Sequence, residues 1–141
     1  MTMPLKMEII LIDDDPFTLA FTQKTVGRCF RKDKMRLFPA AKDALQYLLD
    51  TATPSDHSRL RRGLIFSDLH MPDMDGYKFL DEFARLPDTI HDRYKVFVLS
   101  STSEQREIDH LYTKKYFEGF CSKPLSIEKF RYLLRQATRC R

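Results

Sequence analysis

The sequence predicts a single three-layer α/β domain in which five parallel strands alternate with five helices. Its 141 residues suit one domain with a sizeable core. Short apolar runs alternate with stretches of helical period from one end to the other. The runs are continuously apolar, as strands covered on both faces are, with no in-out alternation along them.

The elements follow in order. "MEIILI" (7–12) is rich in Ile and stops at acids, so it reads as a buried strand. "PFTLAFTQKTVGRCF" (16–30) opens with Pro, a favoured first helical residue, and spaces Phe17, Ala20, Phe21 and Val26 near a helical period. "KMRLFP" (34–39) is a short second strand, and "AAKDALQYLLD" (40–50) a second helix with Ala44, Leu45, Leu48 and Leu49 on one side. The polar, turn-rich "TATPSDHSRLRRG" (51–63) reads as a loop. "LIFS" (64–67) gives the third strand and "YKFLDEFARL" (77–86) the third helix. "YKVFVLS" (94–100) is the fourth strand, followed by a fourth helix, "SEQREIDHLYTKKYF" (103–117), with Ser103 as its N-cap. "GFCS" (119–122) and "SIEKFRYLLRQATR" (126–139) complete the set, with Ser126 capping the last helix. Residues 1–6 are expected to be a disordered or weakly ordered N-terminal segment and 7–141 the domain.

Composition narrows the function classes. Hydrophobic residues make up 43% and charged residues 31%, a globular balance, and no apolar run approaches the ~20 residues of a membrane span. The start, "MTMPLKMEIILIDDD", lacks a signal-peptide layout, because its apolar stretch is short and ends in three acids. Cys29, Cys121 and Cys140 are odd in number without metal-like spacing, and read as reduced thiols in a cytoplasmic protein. The net charge of +4 comes from scattered Lys and Arg without a zinc-finger spacing, an RNA-binding aromatic signature or a basic arm. Neither direct nucleic-acid binding nor membrane insertion is expected.

In open parallel sheets, ligands bind beyond the carboxyl ends of the strands. Strand one ends in Asp13-Asp14-Asp15, strand three in Asp68, strand four in Ser100-Ser101 and strand five in Lys123-Pro124. Each has a bland reading as a helix cap or a solvated loop residue, but those readings do not explain why four strand ends share this chemistry. Carboxylates gathered together repel unless a cation compensates, and a hard divalent ion such as Mg²⁺ suits oxygen ligands. Asp14 and Asp68 would be direct ligands, with Asp13 behind them. A carboxylate can also attack phosphorus, and phosphoryl transfer then needs charge neutralisation, which Lys123 and the Ser100 hydroxyl could supply.

"LIDDDP" (11–16), "SDLHMPDMDG" (67–76), "VFVLSS" (96–101) and "FCSKPL" (120–125) together resemble the receiver (response regulator) domain of bacterial two-component signal transduction, single-domain type. The match runs from about Met7 to Arg139. The resemblance implies a flavodoxin-like sheet of order 2-1-3-4-5. It implies Asp68 as phosphoacceptor and Asp13 with Asp14 as the acidic pair. Asp14, Asp68 and the main-chain carbonyl of His70 would bind Mg²⁺, with Mn²⁺ as a possible substitute. Ser100 would contact the phosphoryl group, Ser101 would fill the small-residue position after it, and Lys123 would pair with phosphoryl oxygens across a Lys123-Pro124 bond that is usually cis. Phe120 falls at the switch aromatic. The partners implied are a sensor histidine kinase or histidine phosphotransfer protein, and a downstream protein target that the sequence does not name.

Asp73 and Asp75 are expected to shape the loop, with Asp75-Gly76 turning into the third helix. His70 reads as a modulator at the pocket's edge; His57, His91 and His110 read as incidental. Tyr112, Tyr116 and Phe117, in "YTKKYFEGF", depart from the small residues usual there and read as core and boundary residues. Two other readings stay open: a receiver-like docking module that works without phosphorylation, and an aspartyl-nucleophile phosphatase built on Asp13-x-Asp15. With the last helix ending near Arg139, the chain reads as a stand-alone receiver or a fragment of a longer one.

Overall fold

The computed structural model describes residues 6–52 and 61–139. The elements are β1 (Lys6–Ile12), α1 (Pro16–Val26), a 3₁₀ turn (Lys32–Lys34), β2 (Met35–Phe38), α2 (Ala41–Asp50), β3 (Arg61–Asp68) and α3 (Gly76–Ala84). There follow α4 (Asp88–Arg93), β4 (Tyr94–Ser100), α5 (Gln105–Tyr112), β5 (Phe117–Ser122) and α6 (Ile127–Arg139). All strand pairs are parallel, in the order β2-β1-β3-β4-β5. Fold class and strand order are as expected, with six α-helices among the described residues where five were expected.

Each face of the sheet has its own core, because successive strand residues point to opposite faces. Ile10, Ile12, Ile65, Val96 and Val98 meet α2, α3, α4 and α5 through Leu48, Phe79, Phe83, Ile90 and Leu111. Ile9, Leu11, Leu64, Phe66, Phe97 and Leu99 meet α1 and α6 through Leu19, Val26, Phe130 and Leu133. A single register thus sends each apolar run into both layers, which is why the strands read as uninterrupted.

The helices differ from expectation at their ends. α1 stops at Val26, where the Gly27 N–H bonds back to the Gln23 carbonyl. Its buried residues are Leu19, Thr22 and Val26, so of the expected set Val26 alone is buried, while Phe17, Ala20 and Phe21 are exposed. In α2, Ala44 and Leu48 are buried as expected, Leu45 partly, and Leu49 is exposed. The additional helix, α4, buries Ile90, His91 and Arg93. Six residues are less than two turns, too few to register as a period.

α5 ends at Tyr112, five residues short of the expected stop: the Thr113 hydroxyl bonds to the His110 carbonyl at 2.6 Å, and Tyr116 adopts a left-handed φ of 68° before β5 begins. Its N-cap is Glu104, not Ser103. β3 begins at Arg61, so residues 61–63, expected in the loop, pair with β1; residues 53–60, and His57 with them, lie outside the described residues. Lys6 already pairs with Arg61, so β1 begins one residue earlier than expected, and the expectation for residues 1–5 lies outside the described residues. Cys29 and Cys121 are free, while Cys140 is likewise outside.

The end of the sheet where strands begin is fastened by a buried carboxylate. Glu8 accepts from Tyr47 Oη at 2.7 Å and Tyr94 Oη at 2.5 Å, and Arg36 Nε lies 3.5 Å away. Beside it, Arg93 donates to the main chain of Thr51, Arg61 and Thr89 and lies 5.5 Å from the Tyr94 ring centre. Gly63 is required here, because a Cβ would lie 2.7 Å from the Tyr94 ring and 2.8 Å from the Glu8 carbonyl oxygen. Gly63→Ala is therefore expected to destabilise the fold by about 1–3 kcal/mol in urea unfolding. An unchanged midpoint would mean that β1 and Tyr94 give way freely.

Candidate functional site

At the opposite end of the sheet, strand ends from four parts of the chain converge. Asp13 follows β1, held by its N–H donating to the Phe38 carbonyl at 3.1 Å, and its Oδ1 accepts the Asp15 N–H at 2.9 Å. Asp68 closes β3, its Oδ1 accepting the Leu69 N–H at 2.8 Å. Ser100 closes β4, and its carbonyl accepts the Lys123 N–H at 3.0 Å, which sets the start of the segment after β5 beside it. The Lys123-Pro124 peptide is cis.

Lys123 Nζ lies 3.0 Å from Asp13 Oδ2 and 3.0 Å from Asp68 Oδ1, bridging two buried carboxylates. Burial pushes the Asp68 carboxyl above the ordinary aspartate range; the Lys123 hydrogen bond opposes that shift and the Asp13 charge adds to it. Burial alone would lower the Lys123 ammonium, but its bonds to Asp13 and Asp68 outweigh this and hold it above the ordinary lysine range. The site therefore keeps a protonated lysine against a carboxylate that is costly to ionise without further positive charge.

Asp14 is exposed, and Asp13, Asp14 and Asp68 each offer an oxygen within 4.8 Å of the others. Oxygen-only donors from the loop after β1 and the end of β3, with Asp14 facing solvent, fit a hydrated Mg²⁺ or Mn²⁺ ion that keeps several waters. Asp15 takes no part: its carboxylate caps α1, accepting from the Phe17 N–H at 3.3 Å and the Thr18 hydroxyl at 2.6 Å. This removes one member of the Asp13-x-Asp15 pair on which the phosphatase reading depends.

The loop after Asp68 is built as the sequence indicates at Asp75, which caps α3 by accepting the Lys78 N–H at 2.8 Å. Gly76 packs so closely that a Cβ would stand 3.0 Å from the Asp68 carbonyl oxygen. Asp73 is exposed. Ser100 is buried, its Oγ accepting the Thr102 N–H at 3.1 Å, whereas Ser101 is exposed. Phe120 is half-buried and packs on the core beneath α2, α3 and α5.

Three residues carry more than their sequence context revealed. His70 is exposed, with Nε2 3.3 Å from Glu107 Oε1 on α5. His91 is buried, its Nε2–H donating to the Phe83 carbonyl at 2.7 Å while Tyr116 stacks on the ring at 3.8 Å. His110 stacks on Tyr77 at 4.4 Å. Of the aromatics before β5, Tyr116 is thus a packing residue, and the exposed Tyr112 meets Phe117 edge-on at 4.8 Å.

The chain's similarities agree with this geometry. Residues 9–135 match the family described as the response regulator receiver domain. The two-component response regulator ORR24 of Oryza sativa subsp. indica is 28% identical over 139 residues, covering 96% of this chain. The matched region is 19% of that relative's length, and 17% in ORR22 of the same plant, at 29% identity. A response regulator receiver protein from Dyadobacter fermentans superposes with a TM-score of 0.79 at 26% identity, covering 93% of this chain and 97% of that one. A two-component response regulator from Cytophaga hutchinsonii shares the fold with a TM-score of 0.74 at 22% identity, over 94% and 96% of the two chains. With both the converging strand ends and a family match over nearly the whole chain, the protein belongs to the response regulator receiver domains of two-component systems.

Proposed function

We propose that this receiver accepts a phosphoryl group on Asp68 from the phosphohistidine of a sensor histidine kinase or histidine phosphotransfer protein. The observation that carries the reading is the Lys123 ammonium held 3.0 Å from both Asp13 and Asp68, beside the Ser100 loop. An Asp68 carboxylate oxygen attacks phosphorus in line. The new O–P bond forms as the P–N bond breaks, and the electron pair returns to the donor's imidazole.

Lys123 supplies a fixed positive charge to the equatorial phosphoryl oxygens, and Ser100 can turn its hydroxyl to another. Asp13, Asp14, Asp68 and the main-chain carbonyl of His70 are the groups that would hold Mg²⁺, or Mn²⁺ in its place. When bound, the ion supplies charge neutralisation to the phosphoryl oxygens. Movement of Ser100 toward the phosphoryl group opens space for Phe120 to turn inward, shifting the surface presented to a downstream protein target.

The test is intact mass after incubation with acetyl phosphate and Mg²⁺, with and without EDTA. A gain of one phosphoryl group per chain that EDTA abolishes is the expected result. Folded protein that gains nothing from acetyl phosphate or from a phosphohistidine donor would favour the phosphorylation-independent docking module. Continuous turnover of phosphate esters would favour the phosphatase.

A further inference from the structure

The first turns of α5 are tied to both loops that border Asp68. The Glu107 side chain meets His70 across the mouth of the site, Oε1 to Nε2 at 3.3 Å, while its main-chain carbonyl accepts Tyr77 Oη from α3 at 3.1 Å. The Thr102 hydroxyl and then the His70 ring hold the Glu107 carboxyl below the ordinary glutamate range. His70 stands two residues beyond Asp68, and Thr102 two beyond Ser100, whose Oγ accepts the Thr102 N–H. The start of α5 thus meets the acceptor loop through the Glu107 carboxylate and the hydroxyl loop through the Glu104 N–H, which donates to Thr102 Oγ1 at 3.2 Å.

We infer that Glu107 is a positioning residue for the phosphoryl switch, holding α5 to the acceptor loop and α3 while Asp68 is unmodified and releasing it once Asp68 carries phosphate. The inference rests on the acceptor role proposed for Asp68. Release follows from two contacts that differ between the states, and only such differences shift an equilibrium. Drawing Ser100 inward takes away the acceptor of the Thr102 N–H, so the loop moves and the Thr102 hydroxyl gives up the Glu104 N–H at the start of α5. The new negative charge on Asp68 also repels the nearby carboxylate. This route shares the Ser100 movement with Phe120 but passes through the loop after β4 and not through the core.

The probe is acetyl phosphate with Mg²⁺, applied to the wild type, Glu107→Ala, Glu107→Gln, His70→Ala and the double alanine variant. Labelling rate is read by intact mass, and the hold on α5 by amide exchange of residues 105–112. In the wild type, exchange in α5 is expected to rise on labelling. In Glu107→Ala it should already be fast, with labelling adding little, and acetyl phosphate should label about two- to fivefold faster, the scale of a partly exposed ion pair. Glu107→Gln, which keeps the side-chain shape, should fall between. The effects of the His70 and Glu107 variants should be non-additive, as residues in one contact are. If the wild type labels but α5 exchange is unchanged in unmodified Glu107→Ala, or the two single effects simply add, the inference fails while the acceptor reading stands. A wild type that takes no phosphoryl group removes both.

Discussion

Asp68→Asn is expected to lose all metal-dependent labelling while becoming more stable than the wild type in EDTA. The loss is complete because an amide offers no nucleophilic carboxylate oxygen. The gain has a separate cause. Asp68 is buried, and its desolvation together with the Asp13 charge raises its pKa, so the ionised form costs the folded state more than the unfolded one. The sign follows: between the unfolded aspartate value and the higher folded one, the folded chain binds the extra proton. Stability from this group is therefore present at low pH and falls as pH rises through the folded pKa. Asparagine removes that penalty and still offers Lys123 an oxygen, so a gain of about 0.5–2 kcal/mol at pH 7 in EDTA is expected, as when a strained functional group is neutralised. Thermal unfolding at pH 5 and pH 8 measures it, with the difference larger at pH 8. A variant less stable than the wild type at both values would mean that the Lys123 ion pair outweighs desolvation.

Lys123→Met is expected to damage both chemistry and stability. Without the ammonium, Asp13 and Asp68 are two buried carboxylates with no positive charge between them. Breaking a buried pair on one side costs about 3 kcal/mol. The labelling rate should fall about 100-fold, comparable with removing one preorganised group from a transition state. The instability should be relieved by acid, which protonates the carboxylates, and by Mg²⁺, which replaces the charge through mass action. In the wild type the raised Lys123 pKa sets the other limit. Its contribution is whole below the unfolded lysine value, about 10.4, and disappears as pH rises through the higher folded one. Urea midpoints that do not differ between pH 5 and pH 8 in Lys123→Met would contradict this account.

Much of the site was legible because it lies where strands stop. Asp13, Asp14, Asp68, Ser100 and Lys123 each follow an apolar run, and the topology does the rest by bringing four ends to one edge. Asp75 was legible from its glycine neighbour and caps α3. Glu107 was not. In "SEQREIDH" it is one acid among several, and its importance comes from His70 and Tyr77, 37 and 30 residues away. The same holds for His91, which became a buried donor only because α4, too short to show a period, folds it over Phe83. α1 misled for a different reason: two phenylalanines at helical spacing imply a core face, but the face turned to the sheet is the one bearing Leu19, Thr22 and Val26.

The buried Glu8 cluster also governs how this fold can vary. Tyr47, Tyr94, Arg36 and the neighbouring Arg93 fasten α2, β1, β2, β3 and β4 to one another where the strands begin, about as far from Asp68 as the sheet allows. That end works as the fixed pivot of a pair of tongs, and the rim that carries Asp68 forms the jaws. The loops at the jaws make no contact with the Glu8 carboxylate, so a change there reaches the joint only through the strands. Substitutions around Glu8 therefore act on the fold as a whole, whereas those in the loops around Asp68 act first on the surface that a partner would meet.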